Sequence, residues 1–553
     1  MSGESPIFGI DLGTTYSCIA YVDEYNRPTV VPNIAGDRTT PSVVQFSDTE
    51  RIVGKEAKNS SSLYPDNTVD MVKRYMGRSN EFSFNYAGTN YTPEEISSYI
   101  LRKVVQDAEQ YTSYKITDVV ITCPAYFGIP EREATAKAGE IAGLNVRSII
   151  NEPTAAAIAY GVNEQTDQTV LVYDLGGGTF DVTIIKIEQG NITVVCTDGD
   201  HYLGGRNWDE IIVRHLAQEW QQQTNSSEDP LDYAEVLQDL YEKAEKAKQT
   251  LSAREKTDIR VVHGAESARI TLTREKFDEL TEGLLNRTIE LTKQALAEAK
   301  KRGVYNFDQL LMVGGSTRMP QVAKRLSGEF GKEPKFSEPD EAVAKGAAIY
   351  GQKLMLDDEF IKRVAGAVGI SADAVKLEQV DSKVLEDVQQ ELADDYGLQL
   401  PAVKKSLETK IINVTSRSFG IVTWHPQQGK ELVTNMILRN ERLPATVSQI
   451  FGTRDANQET VELIIVDNLS NDKQYEVTDS RELGKTDMIL PAGLPVNSPI
   501  EVTFQLNEQG RLHLHARELK ENREVEISLE TECITSVEEI IAATSRSKSL
   551  VIS

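Results

Sequence analysis

Basic residues are scarce in this chain relative to acidic ones: 59 Lys and Arg stand against 85 Asp and Glu, a formal charge of −26 over 553 residues. That deficit argues against a nucleic-acid or anionic-membrane partner, because phosphate surfaces are held by basic patches. It favours solubility instead. Cysteine is also sparse. Cys18, Cys123, Cys196 and Cys533 are scattered without C-x-x-C spacing, so neither a zinc site nor a disulfide framework is indicated and buried free thiols are the simpler reading. No stretch reaches the roughly 18–20 apolar residues of a membrane span, and Met1-Ser-Gly-Glu-Ser-Pro6 lacks the basic and apolar regions of a secretory leader. A cytoplasmic location is the expectation. Two common nucleotide motifs are missing too, the P-loop G-x-x-x-x-G-K-[ST] and a G-x-G-x-x-G opening a βαβ unit, which excludes the folds built on them.

The length exceeds what one hydrophobic core supports, so two to four domains are expected. A hydrophobic fraction of 40% with 26% charged residues describes a globular protein. Two segments carry the chemistry: Ile7-Phe-Gly-Ile-Asp-Leu-Gly-Thr-Thr-Tyr-Ser17 and Leu171-Val-Tyr-Asp-Leu-Gly-Gly-Gly-Thr-Phe-Asp181. Each is an apolar strand that delivers an Asp, then Leu-Gly, then a hydroxyl-bearing turn, then a second strand. Glycine turns expose backbone N–H groups that bind phosphate oxygens, and the strand-end Asp can hold a hydrated divalent cation beside them. One copy alone would pass as a hairpin turn. Two copies sharing the same order argue for a polyphosphate clamp across a cleft. A third segment, Leu310-Leu-Met-Val-Gly-Gly-Ser-Thr-Arg-Met-Pro320, ends a strand in two Gly and opens a helix. It suits a flat ring resting on bare backbone, with the Arg318 guanidinium free to stack on it.

The first 350 or so residues alternate β-rich runs with amphipathic helices, for example Asp118–Cys123 before the helix Glu131–Ile141, and Val146–Ile150 before Thr154–Tyr160. Long helical stretches are predicted over Tyr233–Leu251, Thr273–Arg302 and Glu341–Leu356. Asp357–Glu408 is acidic and carries helical spacing at Val384, Val388 and Leu392, which reads as a helical insert. Beyond Thr409 the chain turns almost wholly β, with Glu459–Val466 and a hairpin Ile500–Leu506 and Arg511–Ala516. In the last of these Leu512, Leu514 and Ala516 alternate with His513 and His515, the period of a half-buried strand; an exposed strand face is the expectation for the two His, a metal site the alternative. After Cys533 only Ser536-Val-Glu-Glu-Ile-Ile-Ala542 is amphipathic, and a Ser/Arg/Lys-rich tail follows, too little for a further domain.

Four segments in order, Asp11-Leu-Gly-Thr-Thr-Tyr-Ser17, Asn151-Glu-Pro-Thr-Ala-Ala-Ala-Ile-Ala-Tyr-Gly161, Asp174-Leu-Gly-Gly-Gly-Thr-Phe-Asp-Val182 and Gly314-Gly-Ser-Thr-Arg318, closely resemble the signatures of the seventy-kilodalton heat-shock chaperones of DnaK type. The likeness continues through Gly36–Ser42, Val72–Gly77, Pro124–Phe127 and Pro339–Ala344, covering residues 6–351 and more loosely 409–531. It implies an α/β actin-like ATPase domain (ribonuclease H-like and duplicated) followed by an antiparallel β-sandwich. The resemblance divides the chain into a nucleotide-binding domain at 1–355, an insert at 356–408, a linker at 409–418, a peptide-binding sandwich at 419–531 and a tail at 532–553 lacking the family's helical lid.

Carried over residue by residue, the resemblance assigns Gly13, Thr14, Thr15, Tyr16, Gly176, Gly177, Gly178 and Thr179 to the phosphates of ATP or ADP. Asp11 and Asp174 approach magnesium through water, with potassium as a further ion. Lys73 positions the attacking water, and Thr179, Asp181 and Glu152 complete the hydrolytic centre. Glu245, Lys248, Ser252, Gly314, Gly315, Arg318 and Asp340 hold the adenosine. Pro124 and Arg132 form a switch relaying nucleotide state, and Ile421, Thr423, Phe451 and Val461 line a pocket for an extended peptide. Unfolded polypeptides, a J-domain co-chaperone and a nucleotide-exchange factor are the implied partners.

Five departures mark the sequence out. The insert replaces a short tether. The linker reads Glu408-Thr-Lys-Ile-Ile-Asn413 instead of leucines between aspartates, leaving Ile411 and Ile412 to dock. Trp424 and Arg454 stand where a smaller arch over the peptide is usual, which predicts a preference for acidic segments. Ser148 replaces an Arg that contacts J-domains, and the missing lid predicts fast peptide release. An ATP-dependent chaperone is therefore the leading expectation. A nucleotide-gated scaffold for one client, or a small-molecule kinase on the same fold, are the rivals.

Overall fold

The computed structural model describes residues 5–161, 167–336, 338–508, 510–520, 523–528 and 537–553. Its first part is a pair of lobes built on the same plan. In the first lobe the strand Phe8–Asp11 runs parallel to Asp118–Cys123 and antiparallel to Tyr16–Val22; in the second, Gln168–Leu175 runs parallel to Gln309–Val313 and antiparallel to Phe180–Glu188. Each pair sits inside a six-stranded sheet. The central strands are apolar on both faces, as Val170, Leu171, Val172 and Tyr173 are all fully buried, because helices cover both sides of the sheet.

Between the lobes the helices Glu152–Gly161 and Ala342–Val368 cross at close range. Their small residues allow it: a Cβ on Gly346 would lie 1.7 Å from the Ala155 carbonyl oxygen. Ala155, Ala156, Ala157 and Ala347 fill the crossing with no exposed surface. Helix starts follow capping chemistry. Thr92 accepts the Glu95 amide at 3.3 Å ahead of Pro93, and Thr273 does the same for the amide of Lys276.

The predicted long helices are found at Ala234–Ala253 and Arg274–Lys301. The third runs further than expected, from Ala342 to Val368. Leu356, Phe360 and Val364 continue its buried apolar stripe, and Phe360 and Val364 form a small separate core with Val388, Leu392 and Val403 from the helices Ser382–Asp395 and Leu400–Glu408. The insert is therefore helical, as expected, but begins as an overrun of the preceding helix and not at Asp357. Of the predicted apolar positions Val388 and Leu392 are buried and Val384 is half-buried.

Ile411–Ile412 then adds to the edge of the second-lobe sheet, parallel to Asn191–Asp200, with Ile411 opposite Ile192 and Ile412 opposite Thr193. Beyond it two antiparallel sheets, one of five strands and one of four, pack face to face on a core that includes Phe419, Ile465, Val502, Phe504 and Leu514. Leu512, Leu514 and Ala516 point inward as the alternation predicts, while His513 is exposed and His515 half-buried. Among the described residues no group of His, Cys, Asp or Glu is disposed to ligate a metal directly.

The sandwich rests on the two lobes. Ile129 of the first lobe is part of the sandwich core. Beside it Arg481 donates to Glu131 at 2.6 Å and to Asp467 at 2.6 Å. On the second lobe Arg439 donates to Asp198 at 2.9 Å and to the Thr197 carbonyl at 3.1 Å. The tail differs from expectation. Val537–Ser549 is a helix that takes in much of the Ser/Arg/Lys-rich stretch, and Val551–Ile552 pairs with Glu50–Val53 of the first lobe. No helix among the described residues is long and apolar enough to cross a membrane. Cys18, Cys123 and Cys196 are buried free thiols; Cys533 lies outside the described residues.

Candidate functional site

The two glycine turns, on strands from opposite lobes, meet. A Cβ on Gly177 would lie 2.2 Å from Thr15 Oγ1, and one on Gly178 would lie 2.4 Å from Thr14 Cγ2, so only hydrogen fits at either position. Protein donors hold the second turn from several sides. Ser316 Oγ donates to the Gly176 carbonyl at 2.9 Å, the Arg206 amide to that of Gly177 at 2.7 Å, and the Arg74 guanidinium to that of Gly178 at 2.8 Å. A cleft of about 500 Å³ opens from this meeting point. Its walls include Asp11, Gly13, Thr14, Thr15, Tyr16, Lys73, Glu152, Asp174, Gly176, Gly177 and Thr179 at one end. Gly178 and Asp181 stand behind that wall, Asp181 directly across the strand pair from Asp174.

Negative charge is concentrated here in a dry setting. Burial, and then the nearby Glu152 carboxylate, push Asp11 up to about 7, although Thr122 Oγ1 donates to it at 3.1 Å. Burial followed by Glu152 likewise raises Asp174 and Asp181 well above the ordinary carboxylate range. Lys73 is the buried cation among them, its Nζ 2.5 Å from Glu152 Oε1. Burial alone would lower that ammonium, but Glu152 and Asp11 outweigh it and its pKa is raised. Several carboxyl groups crowd around one ammonium, and their upward shifts record that a single cation does not compensate them all. Asp181 Oδ1 is moreover buried without a hydrogen-bond partner among the described residues, and buried polar atoms of that kind need an explanation. Both observations fit a hydrated divalent cation, which prefers water to fill most of its shell.

At the far end the cleft is walled by Glu245, Lys248, Ser252, Gly314, Gly315, Arg318 and Asp340. Arg318 pairs with Asp340 at 2.5 Å while staying exposed, which leaves the face of its guanidinium open for stacking. Lys248 donates to Asp209 at 2.8 Å and to the Gly205 carbonyl at 3.0 Å. Lys58 reaches across the cleft opening from the first lobe, donating to Glu245 at 2.5 Å and to the Tyr16 hydroxyl at 2.7 Å. Lys58, Arg74, Thr122 and Ser316 were not singled out by the sequence reading. Each acts on a residue more than a hundred positions away, for which no local pattern exists.

From the cleft a chain of contacts leads to the sandwich. Arg132 donates to Asn151 Oδ1 and, at 3.1 Å, to the Phe127 carbonyl; the Phe127 amide closes a turn on the Pro124 carbonyl at 3.1 Å. The same Phe127 carbonyl accepts Ser416 Oγ at 3.0 Å from the segment entering the sandwich. Thr154 Oγ1 donates to Asn413 Oδ1 at 3.2 Å, beside the docked Ile411 and Ile412. In the sandwich Ile421 is buried, and Phe451 and Val461 pack half-buried on the same core. The Thr423 and Thr434 hydroxyls are 2.7 Å apart. Trp424 and Arg454 come together as a cation–π pair with 4.2 Å between guanidinium carbon and ring centre.

One sequence departure also acquires neighbours. Arg147, next to Ser148, pairs with Asp118 and with Asp358 of the overrunning helix. Comparison with protein families finds a match over residues 7–365 and 400–549 to the family described as Hsp70 protein, leaving out 366–399, the greater part of the insert. The paired turns, the enclosed cleft and the docked β-sandwich thus belong to a chain that is a member of the Hsp70 family.

Proposed function

We propose that this chain is an ATP-hydrolysing chaperone whose nucleotide cleft governs the binding of extended polypeptide segments by its β-sandwich. Hsp70 proteins bind nucleotide, are ATPases and work on client polypeptides with co-chaperones. The observation that carries the reading is the contact of the two glycine turns over a ring of buried carboxylates with Lys73 at its centre.

In this reading Gly13 to Tyr16 and Gly176 to Thr179 cradle the phosphates, and Glu245, Lys248, Ser252, Gly315, Arg318 and Asp340 hold the adenosine. Asp11 and Asp174 would hold hydrated magnesium, which neutralises phosphate charge when bound, with Asp181 directly behind Asp174. Lys73, kept protonated by Glu152, orients the attacking water and faces the charge that grows on the transferring phosphoryl group. Hydrolysis is then a matter of positioning and fixed charge more than of a strong base. The docked linker strand and the Phe127 to Ser416 contact transmit the state of the cleft as a population shift between docked and undocked sandwich. An extended peptide in the sandwich gains backbone hydrogen bonds and one apolar pocket at Ile421, Phe451 and Val461. The cationic Arg454 over Trp424 favours segments with acidic side chains nearby.

Steady-state ATP hydrolysis with and without a panel of unstructured peptides tests this. Lys73→Ala should lower the rate by about a hundredfold or more, with nucleotide still bound, and peptide should stimulate the unaltered chain. A Lys73→Ala rate equal to the parent rate would remove the assignment. Peptide-independent hydrolysis, unchanged by truncation after Gly351, would favour instead a nucleotide-gated scaffold for a single client, a reading supported by the insert and its hold on the linker.

A further inference from the structure

Residues 537–553 bring to the first lobe a pattern that the nucleotide chemistry does not use. The helix Val537–Ser549 lies against the helices Pro93–Thr112 and Ile129–Ile141, and Ala543 and Ser547 are buried beneath it. Arg546 places two donors on one carboxylate: Nε on Glu95 Oε1 at 3.0 Å and Nη2 on Glu95 Oε2 at 2.6 Å. Glu95 has no exposed surface, and the Tyr99 hydroxyl, at 2.9 Å, is the other donor to its carboxylate found here. Deprived of Arg546, that buried charge would be poorly compensated.

Two further elements read backbone and side chain. Arg102 donates to the carbonyls of Ser547 and Leu550. Val551–Ile552 extends the edge of Glu50–Val53 in parallel; the Ser553 amide donates to the Arg51 carbonyl at 3.1 Å, and the Val53 amide to the Ser553 carbonyl at 2.9 Å. Leu550 and Ile552 pack on the first-lobe core. An anchoring ion pair, donors to ligand carbonyls, an open strand edge and contacts for alternate apolar side chains are the parts of a site that binds peptide by strand addition.

We propose that the first lobe carries a peptide-acceptor site, formed by Glu95, Arg102 and the Glu50–Val53 edge, whose resident ligand is this chain's own segment 546–553. The site takes segments of the form Arg-x-x-x-Leu-x-Ile that carry the Arg on a last helical turn and end as a strand, with Arg entering Glu95 and the two apolar residues entering the lobe core. It is separate from the sandwich pocket.

The test uses the full chain with Arg546→Ala and Ile552→Asp, which displace the resident segment, titrated with a fluorescent peptide of residues 540–553. Saturable binding is expected, weakened at least about tenfold when the protein also carries Glu95→Gln or when the peptide carries Arg546→Ala. No saturable binding, or binding indifferent to Glu95→Gln, overturns the proposal. Hydrogen exchange on the unaltered chain gives a second measurement that needs no substitution. The Val53 and Ser553 amides should exchange together, and at least about tenfold faster than Val119 to Ile121 in the lobe's central sheet; equal protection of both regions overturns it too.

Discussion

Gly177 puts the two halves of the cleft within contact of each other, and a single methyl group there has nowhere to go. Its nearest neighbours would be Thr15 Oγ1 at 2.2 Å and Thr15 Cγ2 at 2.4 Å, so Gly177→Ala must displace Thr15 and strain the contact between the turns. The expected result is loss of nucleotide affinity by about tenfold or more, with about 1–3 kcal/mol lost from stability, read by nucleotide titration and thermal melting. An unchanged affinity would mean that the turns do not need to touch. Glu131 makes a second residue-scale prediction. Burial by itself would raise its carboxyl, but Arg481 and then Arg417 override that and hold it at about 2. Its folded pKa lies below the ordinary 4.5, so the stabilisation is complete above about pH 5 and is lost as pH falls from there toward 2. Sandwich docking, followed by exchange at the Thr197 amide, which donates to Asn440 Oδ1 of the sandwich at 3.0 Å, should weaken in that acid window, and Glu131→Gln should remove most of the pH dependence.

Among the elements, the docked linker strand is the most exposed to a single change. Ile411 packs half-buried on the core between the lobes, and the Ile192 amide donates to the Lys410 carbonyl at 2.9 Å. Ile411→Asp should therefore free the strand, raise exchange at the Ile192 amide and uncouple peptide from ATP hydrolysis; retained protection at Ile192 would count against the strand as coupler. Elements of this kind were legible in the sequence to different degrees. Asp11, Asp174 and Gly314 announce their turns because each function is contained in a few neighbouring residues. The helices Ala234–Ala253 and Arg274–Lys301 were readable to within two residues from their apolar spacing. The overrun to Val368 was hidden because acidic composition masked the stripe of Phe360 and Val364, whose partners come later in the chain. The tail helix was hidden for a similar reason. Its polar residues, Arg546 above all, are satisfied by a first-lobe carboxylate 451 positions earlier.

At the scale of the molecule, the lobes, linker, sandwich and tail form a closed circuit of contacts. Lys353 ties one part of it together: Nζ donates to both oxygens of Asp357, at 3.1 and 3.0 Å, and to the Ser406 carbonyl at 2.9 Å, joining the long helix to the one that delivers the linker. Lys353→Ala should lower the protection of residues 409–412 and leave nucleotide affinity unchanged, since Lys353 is not among the residues of the cleft wall. Equal protection in the variant would show that the linker is held by its strand pairing alone.

The Ala342–Val368 helix has a mechanical consequence. Val343 lines the cleft at one end, and Val364 lies in the insert's core toward the other. At 27 residues it is about 40 Å long. A tilt of about 5° about its cleft end would displace its far end by ~3.5 Å over that length, about one strand residue of register. A movement that leaves the cleft end in place is therefore largest at the insert, whose last helix, Leu400–Glu408, leads into Ile411 and Ile412.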